Sequence, residues 1–237
     1  MTGHLYRSNG AGVTFAGYAD GGSGQTTDPT LYPPGEGGGG ADPLPTPADL
    51  ICSDKSQMTP EQRLDYEISE EAAEIAREIM ATGDKDGFEY ASLIYRNTEG
   101  VITHTPIARG TPWDSVPSMA GITNWGQVLG VVHSHIADQW DPGMPKFKRF
   151  PTPVGAANGG DWTPFDTEMG YIYQSLISDY GLSYEGAGAR SAVFRQYIFG
   201  PAGPSGSNNY ELRGYDSSNR DTQTLGQKIS LNLGLCS

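Results

Sequence analysis

Hydrophobic residues recur at helical spacing in two segments of the chain. The first is TPEQRLDYEISEEAAEIAREIMATG, in which an apolar side chain returns every three or four residues. This spacing predicts an amphipathic helix with one buried face. Thr59 and Gln62 match a capping box, Pro60 suits the first helical position and Gly83 suits the end. We allow for a break near Ser69. The apolar positions are Leu64, Ile68, Ala72, Ile75 and Ile79.

The second helical segment is TPFDTEMGYIYQSLISDYG. Thr163 is the expected cap, Pro164 the expected first helical residue and Gly181 a natural end. A helix that begins in this way carries Asp166 in its first turn, where the positive end of the helix favours a carboxylate. Its apolar stripe consists of Phe165, Met169, Ile172, Leu176 and Ile177.

Other segments have the composition of β-strands. FEYASLIYR and VITHTPI are joined by a turn at residues 97–100, which predicts a hairpin. The continuous apolar run of VLGVVHSHI is typical of a strand that is covered on both faces. AVFRQYIFG and YELRGYD predict a second hairpin, and TLGQKISLNLGLC is expected to add a further strand. The mixture predicts an α/β fold with a mixed β-sheet flanked by helices.

Two regions lack periodicity. Residues 1–50 are dominated by Gly and Pro and predict a flexible leader, so the folded domain is expected to span residues 51–237. Residues 137–162 form a long insertion after the HSH strand, of a length often used for binding loops or lids. This insertion contains the basic run KFKRF between two tryptophans. It would suit a lid that attracts an acidic peptide, but a solvated loop is the favoured interpretation.

The charge balance limits the partners. The chain has 15 Lys and Arg against 28 Asp and Glu, a net charge of −13. Nucleic acids and anionic membrane surfaces would be repelled over most of such a surface, so neither is expected as a partner. No apolar run approaches the ~20 residues that span a bilayer, and the N-terminus lacks the features of a secretory signal peptide. Cys52 and Cys236 would close a very long loop as a disulfide, or be two unrelated thiols, and the sequence leaves both open.

The stretch VVHSH uses two of the four histidines in the chain. Because strand side chains alternate with period two, His133 and His135 are expected on one side, where they form half of a tetrahedral zinc site. A His-x-His pair alone is more often structural. Asp166 is the preferred third ligand, with Asp138 and Asp161 as alternatives.

Glu89 is an acidic residue within the otherwise apolar and aromatic run FEYASLI. A carboxylate that is half-buried near a metal can take a proton from water and return one to a leaving amine. The alternative is an edge-strand charge that faces water.

The order of these residues resembles the JAMM motif of the JAB/MPN metallopeptidases. The matching positions are Glu89 on an early strand, His133 and His135 at the end of a buried strand, and Thr163 and Asp166 at the start of a helix. The resemblance implies that His133, His135 and Asp166 hold Zn²⁺, that Glu89 transfers protons, and that the Thr163 hydroxyl helps to stabilise the oxyanion. It also implies a JAB/MPN-like fold, similar in shape to the cytidine deaminases.

The resemblance covers about residues 65–216 and looks closest to a bacterial JAB-like branch associated with polymorphic and Rhs-type toxins. It implies hydrolysis of amide or isopeptide bonds in peptidoglycan peptides or protein conjugates. An effector domain of this kind would be cytoplasmic in its producer, be exported by a dedicated secretion system and have an immunity protein as a partner. The alternative is a catalytically inactive MPN-like binding module. A zinc deaminase is disfavoured because the chain lacks a PCxxC ligand pair.

Overall fold

The computed structural model describes residues 54–82, 88–111, 115–135, 162–201, 210–217, 219 and 226–235. These residues all belong to one compact unit, residues 36–237. The predicted leader, the two cysteines, and residues 137–161 of the insertion with its basic run lie outside the described residues. The predictions for those segments therefore stay predictions.

The described residues form a seven-stranded mixed sheet. Its order is β2-β1-β4-β5-β6-β7, and β3 also pairs with β1. The pair β4 and β5 is parallel, and the other pairs are antiparallel. This topology confirms the predicted α/β class with a mixed sheet, including the hairpin of β5 and β6. The strands are β1 Tyr90–Arg96, β2 Ile102–His104, β3 Ala108–Arg109, β4 Val128–Ser134, β5 Arg195–Pro201, β6 Tyr210–Tyr215 and β7 Gln227–Ile229.

Helices cover both faces of the sheet. α1 (Pro60–Thr82) packs on one face, and α2 (Trp162–Ser178) and α3 (Tyr184–Ser191) pack on the other. Neighbouring residues of β4 take opposite sides: Val132 joins the core under α1, and Val131 joins the core under α2. The apolar run of β4 is explained by this double burial. Within the described ranges, none of the helices combines the length and the apolar character needed to cross a membrane.

The first helix confirms the predicted cap and corrects the predicted break. Thr59 N–H donates to Oε1 of Gln62 at 2.8 Å, and Gln62 N–H donates to Oγ1 of Thr59 at 3.2 Å. The helix continues without interruption through Ser69, so the break near that residue was wrong. Its buried hydroxyl lies 3.5 Å from the Tyr197 hydroxyl on the sheet. The Ser69 side chain contacts the sheet, and it does not compete with the backbone hydrogen bonds of the helix.

The start of α2 also differs from the prediction. The helix begins at Trp162, so Thr163 and Pro164 lie inside its first turn and Thr163 is not the cap. Pro164 is tolerated there because the N–H groups of a first helical turn have no intrahelical acceptor. Asp166 consequently lies about one turn into the helix.

The third helix was not predicted, because YEGAGARS is short and contains two glycines. Its start is nonetheless capped, since the Ser183 side chain accepts a hydrogen bond from Gly186 N–H.

The edge of the sheet beside β1 is bulged. The sequence predicts one strand over residues 101–107. The structure instead has the short strand β2 within this range and a further short strand, β3, directly after it. Ile94 pairs with His104, whereas Tyr90 pairs with Arg109, so the edge carries one extra residue between the two pairings. Pro106 lies in this interval and cannot donate a backbone hydrogen bond.

Candidate functional site

The two histidines of VVHSH meet at the C-terminal end of β4. Their Nε2 atoms lie 3.1 Å apart, and their ring centroids lie 5.0 Å apart at an interplanar angle of 49°. Both residues are buried, with 9% of His133 and 5% of His135 exposed. The expectation that both imidazoles lie on one side of the strand is confirmed.

The imidazoles belong to the face of the sheet that α2 covers. Val131 lies two residues before His133 and packs in the core under α2. Its partner across the β1–β4 ladder, Leu93, packs in the same core. Because strand side chains alternate, His133 and His135 follow Val131 on this face.

The separation of the two Nε2 atoms suits two arrangements. At 3.1 Å, a protonated Nε2 of one ring can donate a hydrogen bond to the other. Two nitrogen ligands of a tetrahedral zinc ion, each about 2.05 Å from the metal, lie about 3.3 Å apart. The side chains therefore already stand close to the separation that a shared cation requires.

Glu89 is buried directly before β1, with 6% of the residue exposed. Its N–H donates to the carbonyl of Thr111 at 2.9 Å, and its carbonyl accepts from Gly110 N–H at 2.7 Å. The interpretation of Glu89 as an edge-strand charge that faces water is wrong, because the residue is buried and its backbone is paired with residues 110–111.

The strand register places Glu89 on the side of the histidines. Ala91 pairs with His133 across the antiparallel ladder. Glu89 lies two residues before Ala91, and His135 lies two residues after His133. Since both steps preserve the face of the sheet, the carboxylate of Glu89 and the imidazole of His135 share the α2 side.

Asp166 lies on α2, on the helical layer that covers this same face, and is half-buried. Among the residues that the structure describes, no set of three or more His, Cys, Asp or Glu side chains is grouped in a way that would hold a metal ion. Asp138 and Asp161 lie outside those residues, as does the side chain of Thr163. The structure thus brings the two histidines together and aligns Glu89 with them, without adding a third ligand from the described part of the chain.

Glu168 is a carboxylate on this layer that sequence reasoning missed. It lies three residues after Phe165 and four before Ile172, both of which are buried. Part of the side chain reaches solvent, but burial of the carboxyl raises its pKa to about 8. The helical spacing was the available signal, because it places Glu168 beside the apolar stripe of α2.

Comparison with known proteins identifies no relative. No family model matches the chain, and neither curated proteins nor solved structures include a significant match. The assignment of function therefore rests on the residues, their geometry and the resemblance of their order to the JAMM motif.

Proposed function

We propose that this chain is a zinc-dependent hydrolase of amide or isopeptide bonds, of the JAMM type. The observation that supports it best is the buried imidazole pair, with the two Nε2 atoms 3.1 Å apart. Neutral imidazole nitrogens are among the ligands that zinc prefers, and two protein nitrogens and one carboxylate leave the fourth position of a catalytic site open.

Burial also favours this use of the pair. Both residues are buried, and the shell around a metal site controls its access to solvent and the pKa of metal-bound water.

The third ligand is assigned to Asp166. It is the carboxylate that the JAMM resemblance selects, and it lies on the helix that packs over the same face of the sheet as the imidazoles. Asp138 and Asp161 are the alternatives, since both belong to the insertion, residues 137–162, that connects the HSH strand to α2.

The proton transfers are assigned to Glu89. When bound, Zn²⁺ supplies a Lewis acid that polarises the substrate carbonyl and lowers the pKa of water. The Glu89 carboxylate accepts a proton from the attacking water and then donates it to the departing amine nitrogen. Thr163 is assigned as a hydroxyl donor to the oxyanion.

The substrate class follows from the resemblance to the JAB-like branch of toxins. Peptide crosslinks of peptidoglycan and protein conjugates both contain bonds of the required type. In this role the chain is a bacterial effector domain that is made in the cytoplasm, exported, and neutralised in its producer by an immunity protein. The competing function is an MPN-like binding module that uses the same fold without catalysis.

Metal analysis of protein purified without chelators tests the proposal first. We expect about one zinc per chain, and its loss in His133→Ala and His135→Ala. His104→Ala is the matched control, because His104 lies on β2 against α1 and is predicted to leave the zinc content unchanged. Wild-type protein that binds no zinc after incubation with the metal contradicts the proposal.

Turnover tests the catalytic assignment. Against a panel of isopeptide-linked conjugates and peptide crosslinks, Glu89→Gln should retain zinc and lose cleavage. Zinc-loaded wild-type protein that cleaves none of these but binds one of them supports the binding module instead.

A further inference from the structure

Ser134 lies between the two histidines and accepts a hydrogen bond from the backbone of the neighbouring strand β1. It is buried, with 1% of the residue exposed. The paired residues of β1 and β4 end at Ala91 and His133. One step beyond that pair, Tyr90 N–H donates a hydrogen bond to Oγ of Ser134 at 2.9 Å. The serine side chain therefore extends the connection between the two strands past the end of their ladder.

This hydrogen bond acts on the peptide that joins Glu89 to Tyr90. The N–H of that peptide is held by Ser134, and its carbonyl, which belongs to Glu89, accepts from Gly110 N–H at 2.7 Å. The preceding peptide is held as well, because Glu89 N–H donates to the carbonyl of Thr111. Both peptides that flank the Glu89 Cα atom are thus fixed. Of these three bonds, the one from Tyr90 N–H to Ser134 connects Glu89 to β4, the strand that carries the histidines.

We propose that Ser134 is a positioning residue, which sets the location of the Glu89 carboxylate relative to the imidazoles of His133 and His135. The inference rests on the proposed hydrolase function, in which Glu89 must reach the water that is activated at the imidazole pair. Catalytic groups need to be held within about 0.5 Å of their productive geometry, and a displacement of ~1 Å can lower the rate by about 10²-fold. The HSH segment in this way supplies two ligands through the imidazoles and locates the base through the central hydroxyl.

The backbone link is tested without any metal, by amide hydrogen exchange. Ser134→Ala should accelerate exchange of the Tyr90 amide by about tenfold, which corresponds to the loss of one hydrogen bond. The Leu93 amide, which donates to Oγ1 of Thr105 at 3.0 Å, is the internal reference and should keep its rate. Ser134→Thr retains a hydroxyl and should restore protection. An unchanged Tyr90 rate in Ser134→Ala overturns the inference.

The positioning role is tested with cobalt in place of zinc, because the visible spectrum of Co²⁺ reports on its surroundings as the pH is changed. Glu89→Gln should shift the midpoint of the spectral pH profile, and Ser134→Ala should shift it as well. The double variant should show no more than the Glu89→Gln shift, because both changes act through the same carboxylate.

Ser175→Ala is the matched control. Ser175 is also a buried serine whose Oγ accepts a backbone N–H, from Gly126 at 3.0 Å, but this bond lies at the opposite end of β4. It should lower stability and leave the cobalt profile unchanged. If Ser134→Ala does not fold, Ser134→Cys keeps the shape and replaces the hydroxyl by a weak acceptor.

The outcomes separate the two proposals. Wild-type protein that takes up no cobalt and no zinc contradicts the hydrolase function, and the positioning role falls with it. Wild-type protein that binds cobalt, while Ser134→Ala gives the wild-type pH profile, overturns the positioning role alone.

Discussion

Ala91 lies directly opposite His133 in the antiparallel pair of β1 and β4. Side chains that face each other across such a pair have Cβ atoms about 4.5–5.5 Å apart. Ala91 is fully buried, so the space beside it is already filled by neighbouring atoms. The cross-strand neighbour of His133 on this face of the sheet is therefore a single methyl group.

A larger side chain at residue 91 should therefore separate the two imidazoles. We expect Ala91→Leu to weaken zinc binding by at least ~10-fold and to lower the free energy of unfolding by about 1–3 kcal/mol through overpacking. Ala72→Leu is the control, because Ala72 is equally buried but lies on α1, in the core on the other face of the sheet. It should cost similar stability and leave zinc affinity unchanged. Equal zinc affinity in both variants, measured by competition with a chelator, would contradict this role of Ala91.

The three candidate carboxylate ligands can be ranked by substitution. Asp166→Asn should lower zinc affinity by roughly 10²-fold or more, because a neutral amide replaces a charged ligand. Asp138→Asn and Asp161→Asn should stay near the wild-type value, as measured by the same competition. If one of these two variants loses most of its zinc affinity and Asp166→Asn does not, the third ligand lies in the insertion.

His104 provides a pH-dependent contact between β2 and α1. Its Nδ1 lies 2.6 Å from Oε1 of Glu71, and its Nε2 lies 3.8 Å from Oε2 of Glu78. The hydrogen bond to Glu71 raises the pKa of His104 above the usual 6.5, and the negative charges of Glu71, Glu78 and Glu74 raise it further against the opposing effect of burial.

A raised histidine pKa stabilises the fold most at low pH. Below about 6.5 the imidazolium is present in both states and only the folded state pairs it, and this contribution is lost as the pH rises through the folded pKa. Glu71→Gln should lower the pKa of His104 in an NMR titration. Its deficit in unfolding free energy should be largest near pH 6 and shrink toward pH 8. A deficit independent of pH would contradict the ion pair.

The contribution of Glu168 to stability should also decline as the pH rises. Because burial raises its pKa from 4.5 to about 8, the folded state retains a proton that the unfolded state releases. Its contribution to stability is complete below about 4.5 and declines as the pH rises toward 8. Glu168→Gln should therefore raise the melting temperature progressively between pH 5 and pH 8. The exposed Glu99→Gln serves as the control, and a constant difference across this range would argue against a buried, neutral carboxyl.

Arg77 on α1 binds the C-terminal segment, residues 226–235, through hydrogen bonds. Its guanidinium donates to the carbonyls of Leu231 at 2.8 Å and Leu233 at 3.0 Å. Arg77→Met keeps most of the aliphatic stem and removes both bonds, so we expect a loss of about 1–3 kcal/mol in the free energy of unfolding. Faster amide exchange should be concentrated in residues 226–235. Uniformly faster exchange throughout the sheet would instead indicate general destabilisation.

The elements of this protein were largely predictable from spacing. The apolar stripes of α1 and α2 and the continuous run of β4 are confirmed, as are the Thr59–Gln62 cap and the hairpin of β5 and β6. The failures are local and have identifiable causes. α1 continues through Ser69 because the hydroxyl packs against Tyr197, a residue 128 positions away. The single strand predicted for residues 101–107 was wrong, because Pro106 lies between β2 and β3 and cannot donate a backbone hydrogen bond.

The candidate site was likewise only partly predictable from the sequence. The sequence alone determined that His133 and His135 share one side of a strand, since the alternation of side chains is a property of the extended backbone. It could not determine that Glu89 is buried, that Ala91 faces His133, or that Ser134 holds the Glu89–Tyr90 peptide. Those relationships depend on the register between β1 and β4, which is selected by the packing of both faces of the sheet and not by the residues of either strand.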